Sequence, residues 1–124
     1  MRQDGEVAPS VLIVDDHPHY RRTARRALQL DGWTIAGEAG DGEEGLRAAR
    51  ELEPDVVLLD VGLPGVSGLE IAKRLADELP DVAVVVISTQ DPGDYAELAA
   101  AHGARGFLTK ADLTSAALAA LLHA

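Results

Sequence analysis

The chain has 124 residues, which suits one domain with a single core and leaves no room for a second. It carries no cysteine, so disulfides and thiolate metal sites are excluded, and its net charge of −10 argues against a nucleic-acid surface, which needs clustered Lys and Arg. No apolar run approaches the roughly 18 residues of a membrane-spanning helix, and the polar start "MRQDGEVAPS" resembles neither a signal peptide nor an anchor, so a cytoplasmic protein without membrane contact is expected.

Residues 1–10 read as a loosely ordered leader, and residues 11–124 as the domain. "VLIVD" precedes the helical pattern "YRRTARRALQL", which should end at Asp31-Gly32. "WTIAGEA" precedes "EEGLRAARELE". "DVVLLD" precedes "LEIAKRLADEL", where "SGLE" at 67–70 predicts a capping box between Ser67 and Glu70. "VAVVVIS" precedes "DYAELAAAHG", with Asp91 as N-cap, Pro92 at the first helical position and His102-Gly103 at the end. "ARGFLTK" precedes "LTSAALAALLHA", for which Asp112 is the expected cap. Short Val- and Ile-rich runs, each followed by a helical pattern, predict an α/β fold of (βα)5 type, a doubly wound parallel sheet of five strands.

In such a sheet, ligands bind beyond the carboxyl ends of the strands where the winding reverses, which for the order 2-1-3-4-5 lies between the first and third strands. The first ends at Asp15 and Asp16, and the third at Asp60. One Asp would suffice as a cap or turn former; three converging carboxylates repel one another and gain from a bound cation. Mg²⁺ is the natural candidate, with Mn²⁺ as the alternative. The fourth strand ends at Ser88, a hydroxyl donor, and the fifth leads to Lys110, a flexible cation suited to pairing with Asp60 and with charge developing in phosphoryl transfer.

These residues strongly resemble the receiver domain of bacterial two-component response regulators, in element order and spacing from residue 11 to about 123. "VDDHP", "LLDVGLPGVSGLE", "VVVIST" and "GFLTK" carry the resemblance, and "DDHP" with "ARGFLTKAD" looks most like the NarL/LuxR/FixJ-like subfamily, whose receivers precede a helix-turn-helix domain. It implies a signalling module rather than an enzyme, assisting only its own phosphorylation and dephosphorylation. Asp60 would accept a phosphoryl group from a sensor histidine kinase, a phosphotransfer protein or a small phosphodonor. Mg²⁺ would be held by Asp16, Asp60 and the backbone carbonyl of Gly62, with Asp15 acting through water. Pro64, Gly65 and Gly68 belong to the usual loop. Ser88 and Phe107 would switch together and change a face of the fourth helix, fifth strand and fifth helix that controls an output domain or partner, or a homodimer.

Several positions depart from the family pattern. Ser88 replaces the commoner Thr, and Thr89 stands where Ala or Gly is usual and narrows access to the phosphoryl group. Gly62 and Gln90 occupy the positions that influence dephosphorylation, and a glycine cannot orient water, so slow dephosphorylation is expected. Ala111 follows Lys110 where many relatives have a cis proline, so that peptide is either trans or strained. The rival reading is a Mg²⁺-dependent phosphohydrolase with an aspartyl nucleophile; many of these carry a second acid two residues on, where this chain has Gly62.

Other features weigh less. "GDGEEG" at 40–45 matches a dinucleotide-binding pattern, but Asp41, Glu43 and Glu44 would repel a pyrophosphate while suiting the helix dipole. His17 and His19 are read as surface histidines. Arg21, Arg22, Arg25 and Arg26 form either a solvated face or a docking surface for an acidic partner. Leu113, Leu118, Leu121 and Leu122 cannot all face one core stripe of an uncharged last helix, so Leu118, Leu121 and Leu122 are expected at an interface.

Overall fold

The computed structural model describes residues 9–63, 65, 67–89 and 92–123, without the side chains of 92–95. The expected leader apart from its last two residues, Pro64 of the loop, Gln90 and the Asp91 cap lie outside the described residues.

Strands β1 (Ser10–Val14), β2 (Thr34–Ala39), β3 (Val56–Asp60), β4 (Ala83–Ser88) and β5 (Gly106–Thr109) alternate with helices α1 (Pro18–Leu30), α2 (Gly42–Leu52), α3 (Gly68–Glu78), α4 (Pro92–Ala101) and α5 (Ser115–Leu122). The strands form one parallel sheet, as expected from the repeated strand-then-helix pattern, and their order β2-β1-β3-β4-β5 is the one expected of this doubly wound fold. Strands β3 and β4 are buried along their whole length, which is why they read as unbroken apolar runs.

Alternating side chains feed two core layers. Leu12, Val14, Val57, Leu59, Val84 and Val86 pack with Leu46 of α2, Ile71 and Leu75 of α3 and Ala99 of α4. Val11, Ile13, Val56, Leu58, Val85 and Ile87 pack with Ala24 and Leu28 of α1 and Leu118 of α5.

Gly32 (φ 92°) and Gly103 (φ 86°) follow α1 and α4 as expected, in the left-handed region. The other caps differ in part. Ser67 accepts from the backbone of Leu69, one residue earlier than a capping box requires. Asp112 does not cap α5. It closes a 3-10 turn over Lys110–Asp112, where its N–H donates to Thr109 Oγ1 at 3.1 Å, and Thr114 caps α5 by accepting from Ala117 N at 3.0 Å. No cis peptide occurs among the described residues, so the Lys110–Ala111 bond is trans.

The last helix corrects the expected place of Leu118. Leu118 is fully buried in the second core layer, and Leu121 and Leu122 pack against that layer, partly buried. Leu113 precedes the helix and shares none of its phase; without it, 118, 121 and 122 are spaced i, i+3, i+4 and do share one stripe. Gly106 makes the room, since a Cβ there would lie 2.7 Å from Leu121 Cδ2.

Candidate functional site

The site grows from where β1 and β3 stop. The ladder continues one bond past Val14, with Asp15 N donating to Ala39 O at 3.0 Å, and the chain then turns into α1 through His17 at the N-cap and Pro18 at the first helical position. That turn directs both acids inward. Asp15 is fully buried, and one oxygen each from Asp15, Asp16 and Asp60, together with a ring nitrogen of His17, lie within 4.8 Å of one another.

On the other side, Asp60 ends β3, and its Oδ1 accepts from Gly62 N at 2.9 Å. Gly68 lets α3 begin directly against this turn: a Cβ there would lie 2.5 Å from the Asp60 carbonyl oxygen. A side chain at position 62 would meet ordinary contact, 3.5 Å from Asp60 Oδ1.

Lys110 follows β5 and reaches into the acids. Its Nζ is 2.5 Å from Asp15 Oδ2 and 3.4 Å from Asp60 Oδ2, so the partner it holds most closely is Asp15. The ammonium lies 4.5 Å from the centroid of the Tyr20 ring, a cation–π contact, and Tyr20 OH donates to the Lys110 carbonyl at 3.4 Å. Burial, reinforced by the charges of Asp15 and Asp60, pushes the Tyr20 phenol up to about 12. Ser88, buried at the end of β4, lines a cleft of about 260 Å³ with His17, Asp60, Val61, Gly62, Thr89 and Lys110. Phe107 is partly buried one strand position before Leu108 and packs against the first core layer.

Asp15, Asp16, Asp60, Ser88 and Lys110 are thus brought to one edge of the sheet. The donor set fits a hard divalent cation: the acids supply oxygens, and Asp15 Oδ2 and Asp16 Oδ1 are buried without a directed hydrogen bond, although the Lys110 ammonium approaches the first and a ring nitrogen of His17 the second.

Two residues carry more than the sequence assigned them. His17 was expected at the surface. Its side chain is 62% exposed, yet its Nδ1 lies 2.9 Å from Asp15 Oδ1, 3.2 Å from Asp16 Oδ1 and 4.0 Å from Asp60 Oδ2. Tyr20 belongs to no motif, and its place two residues into α1 sets its ring beneath Lys110. His19 is exposed, as expected, beside the arginines of α1.

Those arginines divide. Arg21 and Arg25 pair with Glu38 on β2, and Arg21 Nη1 also donates to the Asp15 carbonyl at 2.5 Å, bracing the acidic turn. Arg22 and Arg26 are exposed. The acids of "GDGEEG" serve the helix: Asp41 accepts from Glu44 N at 2.8 Å, Glu44 accepts from Gly40 N at 2.8 Å, and Glu43 pairs with Arg74 at 2.8 Å. No phosphate cradle remains there.

Comparison with known proteins agrees with this geometry. The chain matches the family described as response regulator receiver domain over residues 11–122. It is 43% identical over 101 residues to the response regulator GacA of Pseudomonas viridiflava, covering 81% of this chain and 47% of that protein. Among solved structures, a two-component response regulator of the LuxR family from Aurantimonas sp. SI85-9A1 superposes with a TM-score of 0.84 at 30% identity, covering 94% of this chain and 86% of the other. A response regulator protein from Burkholderia pseudomallei, with a phosphorylated aspartic acid, calcium ion and citrate, gives a TM-score of 0.81 at 27% identity, covering 91% of this chain and 66% of the other. The chain spans about half the length of the curated relatives it matches.

Proposed function

The chain belongs to the response regulator receiver domain family, signalling domains whose general function is to take a phosphoryl group on an aspartate and which bind Mg²⁺ through an acidic pocket, and from that premise we propose that Asp60 is the acceptor. The observation that carries this reading is the meeting of Asp15, Asp16 and Asp60 with Lys110 in one cleft.

Gly62 N–H holds Asp60 Oδ1, which leaves Oδ2, on the Lys110 side, as the nucleophile. Oδ2 attacks the phosphorus of a phosphohistidine; the O–P bond forms as the N–P bond breaks, and the imidazole leaves with the bonding pair. A Mg²⁺ ion held by Asp16, Asp60 and the Gly62 carbonyl, with Asp15 acting through water, would neutralise charge on the transferring group. Lys110 supplies a positive charge beside Asp60 Oδ2, and the fixed cleft supplies orientation. Ser88 then donates its hydroxyl to the phosphoryl group, and Phe107 moves inward behind it, shifting the face built from α4, β5 and α5.

The donor of the phosphoryl group is a sensor histidine kinase or a phosphotransfer protein, which Arg22 and Arg26 on α1 face as exposed cations. The output is transcriptional, through a domain or partner on the α4-β5-α5 face or through a homodimer, in keeping with the likeness to LuxR-family regulators. The negative charge of this domain leaves DNA contact to another part of such a protein. Response regulators typically act in the cytoplasm, and no helix among the described residues is long and apolar enough to cross a membrane. Gly62 offers no side chain to place water against the acyl phosphate, so the phosphorylated form decays slowly rather than turning over as a hydrolase would.

The test is the intact mass after incubation with a small phosphodonor and Mg²⁺, beside Asp60→Asn. One added phosphoryl group that requires Mg²⁺, is missing from the variant and persists for minutes is the expected result. Phosphate release through Asp60 with no adduct would favour the phosphohydrolase, and neither adduct nor release would overturn the acceptor role.

A further inference from the structure

We propose that His17 contributes its Nδ1 to the cation site, and that the site therefore takes first-row transition ions such as Co²⁺ and Mn²⁺ in preference to Mg²⁺. This rests on the acidic cleft being a cation site.

The ring stands where a ligand would. Its Nδ1 is 2.9, 3.2 and 4.0 Å from oxygens of Asp15, Asp16 and Asp60, so it faces all three acids from one side. That nitrogen lies within hydrogen-bond distance of Asp15 Oδ1, and coordination to an ion would take the place of this contact. His17 occupies the N-cap of α1, yet its side chain makes no hydrogen bond to the first turn of the helix, and Pro18 has already removed one donor from that turn. Its main-chain N–H also donates to Asp15 Oδ1 at 2.8 Å, so main chain and ring both rest on that carboxylate before any ion arrives.

Lone pairs are left over in the cluster, because Asp15 Oδ2 and Asp16 Oδ1 are buried without a directed hydrogen bond. Lys110 cannot serve all of them: its Nζ is 2.5 Å from Asp15 and 3.4 Å from Asp60, and lies 3.4 Å from His17 Nδ1 itself. A donor set of carboxylate oxygens alone suits Mg²⁺, which demands oxygen in octahedral geometry. Replacing one oxygen by an imidazole nitrogen penalises Mg²⁺ and favours ions in the rising order Mn²⁺, Fe²⁺, Co²⁺, Ni²⁺. His19 does not share the task, since it faces the arginine-lined side of α1.

A different role for the ring, as a mere counter-charge to the acids, makes the opposite forecast. Removing a counter-charge would tighten every divalent ion alike. Removing a ligand weakens the nitrogen-seeking ions and leaves Mg²⁺ nearly untouched.

Calorimetric titration with MgCl₂, MnCl₂ and CoCl₂ separates the two, using the wild-type chain, His17→Ala and Asp16→Ala. For His17→Ala the expected result is a Co²⁺ affinity lower by about tenfold or more, a smaller loss for Mn²⁺, and a Mg²⁺ affinity within about threefold of wild type. The visible absorption of bound Co²⁺ should also shift when the nitrogen is removed. An unchanged ratio of Co²⁺ to Mg²⁺ affinity, or equal tightening of all three ions, would overturn the role of His17 while leaving the cation site standing. A wild-type chain that binds none of the ions, or an Asp16→Ala variant that binds them all as before, would overturn the site as well.

Discussion

Aspartates flank the β1–β3 pair at both ends of the sheet, and the two ends treat them differently. At the amino edge Asp55 is stitched to Ser10: its carboxylate accepts from Ser10 N at 2.8 Å and Ser10 Oγ at 3.3 Å, while its own N–H donates to Ser10 Oγ at 3.0 Å. At the carboxyl edge Asp15, Asp16 and Asp60 converge, and buried oxygens are left without a directed hydrogen bond. An acid at a strand end is therefore no sign of chemistry by itself. Excess acceptors over donors, gathered from separate strands, are the sign.

Substitutions at matched positions sharpen that contrast. The largest effect falls where the carboxyl edge is tightest. Gly68→Val would press a side chain onto the Asp60 carbonyl oxygen, 2.5 Å from the first carbon, and onto Val61 Cα, 2.7 Å away. It should cost about 3 kcal/mol of stability by urea denaturation. Its counterpart beside the amino edge, Gly32→Ala, meets open space and suffers only the positive φ of 92°, so about 1 kcal/mol is expected.

Next come the acids themselves. Asp55→Ala removes satisfied hydrogen bonds and should lower stability by about 1 kcal/mol, whether or not Mg²⁺ is present, and leave phosphoryl uptake unchanged. Asp16→Asn should act with the opposite sign: without divalent ions it relieves repulsion and raises stability by about 0.5 kcal/mol. With Mg²⁺ added, the wild-type chain should gain more than the variant and reverse their order. If both substitutions destabilise equally in metal-free buffer, the distinction between the two edges fails.

The smallest effect is one of pH. The Tyr20 phenol is pushed up to about 12 from its ordinary value of 10.0, first by burial and then by the charges of Asp15 and Asp60. Between those two values the unfolded chain has released a proton that the folded chain keeps, so stability falls as pH rises through that window. Tyr20→Phe should flatten this part of the pH–stability curve relative to wild type, as followed by thermal melts.

Much of this was legible in the residues because it depends on local pattern. Apolar runs of strand length, each followed by helical spacing, predict the parallel sheet, and the strand order of the doubly wound fold then gathers Asp15, Asp16, Asp60, Ser88 and Lys110 at one edge. What failed depended on phase. Leu118 looked exposed because Leu113 was counted into a helix that starts at Ser115. Thr109 and Thr114 outcompeted Asp112 as caps because the fifth strand leads first into a 3-10 turn. The ring of His17 depended on how one turn orients an imidazole, which no spacing encodes. Gly68, in contrast, is named only by the resemblance, and its closeness to the Asp60 carbonyl gives a physical reason for a glycine there.

One feature of the amino edge bears on how such a module is joined to others. Thr34 N donates to Pro9 O at 3.0 Å, and Arg105 Nη1 donates to Leu122 O at 3.2 Å, so Pro9 and Leu122 border the same groove of about 470 Å³. This groove and the Asp60 cleft lie at opposite ends of the strands, separated by roughly 17–20 Å for a strand of this size. A partner seated in the groove leaves the mouth of the cleft open to a visiting donor. It can learn of the event only through movement of the body between them, as a hand on one side of a door feels the latch turn on the other.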